Sequence, residues 1–135
     1  MYLFQLSNEK RHIFLDLELY MSKIDGNFSK EEKEIIDTHC LEMHIDNNNY
    51  ECELSLDTVL TRISEDFDKK EKRIVFLELL ATVLADGVYD NSEKDLIEKL
   101  KETFEIKDDE KDEIISALTD IQVAYKKCTA FVMGE

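Results

Sequence analysis

Carboxylates recur in this chain in one arrangement that could do chemistry. Asp25-Gly26 is followed by Glu32, and Asp86-Gly87 is followed by Asp90 and Glu93. Acids from a turn and from the helix start beyond it can converge on a divalent cation, and their hard oxygens favour calcium or magnesium over zinc. The same residues also have a structural use. Asp before a helix-closing glycine and Glu at the third position of the next helix both satisfy backbone groups at helix ends. Asp25, Glu32, Asp86, Asp90 and Glu93 are therefore candidate metal ligands, with capping alone as the alternative.

Other chemistries fit less well. Asp-Gly followed by Glu matches positions five, six and twelve of an EF-hand loop. Positions one and three would then be Met21 and Lys23 in one copy and Thr82 and Leu84 in the other, none of them a carboxylate. Cys40 and His44 lie one helical turn apart, with His39 and Cys52 near in sequence. Zinc sites show a second close pair that is missing here, so Cys40 reads as a core thiol and His44 as a surface residue. The cysteines number three, at no metal-ligand spacing, which points to reduced thiols in a cytoplasmic protein. Glycines at 26, 87 and 134 alone cannot build a phosphate-cradling loop, and no nucleophile elbow or paired-histidine zinc motif is present. His12, His39 and His44 have no assignable nucleophile. The expectation is a protein that is not an enzyme.

The elements that would position these acids are legible. Laying Asp25-Gly26 on Asp86-Gly87 gives an offset of 61 that also matches Glu32 with Glu93, Lys33 with Lys94, Ile36 with Ile97, Ile13 with Ile74 and Leu19 with Leu80. The chain reads as one domain, 1–135, with repeats at about 8–64 and 69–127. In the first copy Ile13, Leu17, Tyr20 and Ile24 recur at helical spacing. The equivalent segment, Ile74 to Leu84, is apolar on nearly every face, interrupted at Glu78, and belongs at the centre of a bundle. Each helix should stop at its glycine. Ser29 to Glu32 and Asp90 to Glu93 read as capping boxes opening second helices. These run apolar through Ile36, His39, Cys40 and Met43, and through Ile97, Leu100 and Phe104, so His39 sits on a core-facing stripe. Ser55 caps a helix with Leu56, Val59, Leu60, Ile63 and Phe67. Ile114, Leu118, Ile121, Tyr125 and Cys128 outline a long last helix from near Asp108. With no proline and only three glycines, the expected fold class is all-α, a duplicated bundle of six to seven helices.

The segment Leu79 to Gly87 ends in Ala85-Asp86-Gly87 and is followed by Asp90, Glu93, Leu96 and Ile97. This resembles the TerB-like family, named from tellurite resistance, whose signature is an apolar helix ending in Ala-Asp-Gly before an acidic helix start. The first copy departs from it, with Lys23-Ile24 where Leu84-Ala85 stand and Ser29 in place of Asp90. The resemblance implies an all-helical, metal-associated module in bacterial stress or phage-defence settings, with chaperone or membrane partners. It places the metal-associated acids at the same five residues.

Charge bounds the partners. At −15 the chain repels phosphate backbones and anionic membranes, so neither nucleic acid nor membrane insertion is expected. Met1 to Leu6 lacks the basic flank of a signal peptide, and no apolar run is long enough to span a bilayer. The leading expectation is a non-enzymatic TerB-like module that binds a divalent cation or a protein partner. The alternative is an acidic inhibitor or immunity-type protein that covers a basic surface.

Overall fold

The computed structural model describes residues 1–24, 29–46, 54–85 and 90–135. A 3-10 turn, Leu3–Gln5, precedes α1 (Asn8–Lys23), α2 (Lys30–Met43), α3 (Leu56–Asp66), α4 (Lys69–Val83), α5 (Asn91–Thr103) and α6 (Asp108–Met133). There are no strands among the described residues, so the all-α expectation holds. The chain divides into two compact units, Met1–Glu105 and Ile106–Glu135, and the boundary falls inside the segment assigned to the second repeat. α1 and α4 begin at Asn8 and Lys69, and α2 and α5 at Lys30 and Asn91, so both pairs are offset by 61. Gly26 and Gly87, on which the stop signals of α1 and α4 were read, lie outside the described residues.

Short polar side chains set the helix starts. Ser7, Ser29, Ser55, Asp68 and Asp90 have extended backbones, and each accepts from an N–H three residues on. At Ser29 and Asp68 the glutamate three residues later reaches back to the cap N–H, completing a capping box. Asp68 is a cap that the sequence reading did not single out. Asp68→Ala should cost about 1 kcal/mol, read as a lower urea midpoint, and Asp68→Ser should restore most of it.

In the first unit α1 packs on α2, α3 and α4, while α4 also touches α5 and the 3-10 turn. That position explains why α4 buries Ile74, Val75, Phe76, Leu79, Leu80 and Val83 around its circumference, as its composition predicts. α1 buries a continuous run from Ile13 to Leu19 together with Met21. The single stripe through Tyr20 is corrected here: Tyr20 is exposed, and Phe14 and Leu19 face the core. A helix with neighbours on three sides cannot be described by one face. α2 closes with His44 at φ 58, and Glu105 after α5 takes φ 57, so left-handed positions fall on non-glycine residues.

The second unit is the helix α6 and its flanks. Only Leu118 within α6 is buried, and Ile121, Val123, Tyr125, Phe131, Val132 and Met133 are exposed. No helix among the described residues is long and apolar enough to cross a membrane.

Candidate functional site

Charged groups meet at the centre of the first unit. Glu18 on α1, His39 on α2 and Glu78 on α4 are all buried, with relative exposures of 0, 6 and 1 %. His39 lies between the two carboxylates: Nδ1 is 2.5 Å from Glu18 Oε2, and Nε2 is 3.2 Å from Glu78 Oε2. The Phe14 ring stands edge-on to the imidazole, 5.8 Å between centroids. Thr82 Oγ1 is 2.6 Å from Glu18 Oε2 and 3.0 Å from the Glu78 carbonyl. Glu78 Oε1 accepts from Tyr2 N–H at 2.8 Å and pairs with the Met1 amino group, also at 2.8 Å. Glu18 Oε1 and Ser22 Oγ, one turn apart on α1, are buried with no hydrogen-bond partner among the described residues.

This geometry fixes the protonation states. Burial alone would lower the His39 pKa, but Glu18 and Glu78 outweigh it and raise it to about 9. Burial alone would raise Glu78, but the bonds from His39, the Met1 amino group and Tyr2 N–H bring it down to about 2. His39 is therefore an imidazolium at neutral pH, donating from both ring nitrogens. Burial, reinforced by the charges of Glu18 and Asp37, pushes the Cys40 thiol up to about 11. Cys40 is thus a protonated thiol and not an activated nucleophile at neutral pH, and His44 is exposed at the helix end.

The fold does not demand this cluster. At the offset of 61, Glu18 corresponds to Leu79, His39 to Leu100 and Glu78 to Leu17, and each of those leucines is fully buried. The same helical frame accepts an apolar side chain at all three places. Sequence reasoning placed His39 in the core and noted Glu78 as an interruption, but it missed Glu18 and the pairing.

The acids singled out from sequence lie elsewhere. Asp25 and Asp86 fall outside the described residues. Glu32 and Glu93 are each 5 % exposed in the first turns of α2 and α5. Ser29 Oγ accepts from Glu32 N–H at 3.0 Å, and Asp90 Oδ1 from Glu93 N–H at 2.9 Å. No group of three His, Cys, Asp or Glu among the described residues is arranged to hold a metal ion. In the Glu18–His39–Glu78 cluster the histidine separates the carboxylates instead of converging with them.

The family model described as "Tellurite resistance protein TerB" matches residues 47–115, just over half of the chain. The chain belongs to the TerB family. The matched segment holds the intact Ala85-Asp86-Gly87 unit and begins beyond Asp25-Gly26, the divergent turn of the first copy. A crystal structure titled as a tellurite resistance protein, from Nostoc punctiforme PCC 73102, shares the TerB-type fold with a TM-score of 0.70. Its sequence is 22 % identical, and the match covers 96 % of this chain and 84 % of that one. No curated protein matches the chain.

Proposed function

We propose that this TerB-family chain is a non-enzymatic binding module in a tellurite-resistance-related response, and that it holds a divalent cation at its acidic turn–helix junctions. The observation that carries this reading is the pair Glu32 and Glu93. Both are carboxylates held at 5 % exposure at helix N-termini, 61 residues apart in equivalent positions. Burial of a carboxylate is unfavourable unless positive charge offsets it. The N-terminal dipole and the contacts already present supply part of that offset, among them the Ser29 N–H that Glu32 Oε1 accepts at 3.3 Å, and a cation shared with Asp25, or with Asp86 and Asp90, would add to it. A tellurite oxyanion is a poor direct ligand for a chain of charge −15. The module would act through the cation and a protein partner.

Thermal unfolding of the metal-stripped protein tests this, because a ligand that binds only the folded state raises its melting temperature. Millimolar calcium or magnesium should raise Tm, and Asp86→Asn should remove most of the shift. No shift, or an equal shift in Asp86→Asn, would reduce the junctions to helix caps.

A further inference from the structure

We propose that the two acidic junctions differ in regulation: cation binding at the first, where Glu32 opens α2, is opposed by the proton on His39, whereas binding at the second, where Glu93 opens α5, is independent of it. The inference rests on the cation reading above and deepens it. Glu32 and His39 lie seven residues apart on α2, two turns along one face, about 10 Å at a rise of about 1.5 Å per residue. Both are buried, at 5 and 6 % exposure, and Ile36 between them is buried completely. The stripe joining them is closed to solvent, and charges in such a setting are screened far less than charges at a surface. α1 leads the same way. Ser22 stands one turn beyond Glu18, closer to the end from which the chain passes into α2, and Glu18 Oε1 and Ser22 Oγ are both buried with no hydrogen-bond partner among the described residues. Polar atoms, not an apolar plug, therefore lead along α1 from the cluster towards the first junction.

The second repeat lacks every member of this line. At the offset of 61, His39 becomes Leu100, Glu18 becomes Leu79 and Ser22 becomes Val83, each fully buried, so a cation near Glu93 meets no imidazole at the equivalent place. Around the ring itself, Glu18 faces it from α1 and Glu78 from α4, the Met1 amino group stands behind Glu78, and Asp37 and Cys40 are its charged or titrating neighbours on α2. The Met1 amino group is held above its ordinary 8.0 by Glu78 and Glu42 and also loses its proton in the alkaline range, so the coupling has to be read on the His39 ring. One unit charge at about 10 Å moves the His39 midpoint by roughly 0.3 to 1.2 in pH, for an effective dielectric constant between about 80 and about 20. Linkage is reciprocal. What calcium does to the His39 midpoint, the proton on His39 does to calcium affinity, about tenfold for each pH unit.

Ring resonances of His39, followed by NMR from neutral to alkaline pH in the metal-stripped full chain, test the coupling. Glu32→Gln, which keeps a side-chain oxygen for the Ser29 N–H, removes a negative charge and should lower the His39 midpoint by that amount, while Glu93→Gln should leave it in place. Millimolar calcium should lower the midpoint in the wild type and no longer do so in Glu32→Gln. A midpoint indifferent to Glu32→Gln, or lowered equally by Glu93→Gln, overturns the proposal. A midpoint that responds to Glu32→Gln but not to calcium overturns it too, and the melting temperature then separates the causes. A Tm still raised by calcium places the cation away from the first junction, and an unmoved Tm removes the cation reading itself.

Discussion

His39→Ala should lower stability by about 3–5 kcal/mol, because removing one member of a buried ionic cluster leaves its partners' charge uncompensated. Here the stranded groups would be two carboxylates, Glu18 at 0 % and Glu78 at 1 % exposure, facing one another across the vacated ring. The loss has a signature that distinguishes it from a packing defect. Without the imidazolium Glu78 keeps the Met1 amino group and the Tyr2 N–H but faces a second carboxylate, and a proton taken up there relieves the repulsion, so the deficit should shrink as pH falls. Leu100→Ala, at the equivalent place in α5, should cost about 2–5 kcal/mol through its cavity, with no such pH dependence. Denaturant midpoints of both variants, measured at neutral and mildly acidic pH, separate the two mechanisms.

The second large effect is alkaline. The His39 pKa is raised in the folded chain, so its contribution is fully present below the ordinary 6.5 and is lost as pH rises through about 9. The separation of those two values corresponds to on the order of 3 kcal/mol. Glu78 is shifted the other way: its contribution is present above 4.5 and is lost as pH falls towards about 2. Between those limits the cluster is at full strength. Replacing Glu18, His39 and Glu78 together with leucine should abolish the alkaline loss while leaving the chain folded, since Leu79, Leu100 and Leu17 already occupy the equivalent places. Exchange of a buried ionic cluster for apolar groups is commonly neutral or stabilising by about 1–4 kcal/mol. Denaturant titrations from neutral pH up to about 9, below the range where the buried Cys40 thiol adds its own loss, would show the wild-type stability falling and the leucine variant's changing much less. An equal fall in both would place the alkaline sensitivity outside the cluster.

Much of this architecture was legible in the sequence, because helix starts are local chemistry. Ser29, Ser55 and Asp90 announced their helices through side-chain oxygens, and the apolar circumference of Ile74 to Leu84 announced the central one. The cluster was not legible for a physical reason. Glu18 sits among Asp16 and other residues of a mixed run, where a charge ordinarily marks a solvent face, and only the arrival of α2 and α4 on either side turns it inward. Glu78 carried a usable signal, a lone charge inside the most apolar helix, but its partner was distant in sequence. The candidate cation ligands were legible as types and spacing. Their convergence depends on Asp25 and Asp86, which lie beyond the described residues.

The central claim is that His39 is a buried imidazolium held between Glu18 and Glu78. Following the ring carbon and proton resonances of His39 by NMR from acidic to alkaline pH tests it most directly. The account predicts a protonated ring through neutrality with a midpoint near 9. A midpoint at or below the ordinary 6.5 would contradict it, leaving a neutral ring between the carboxylates and no charged clamp joining α1, α2 and α4.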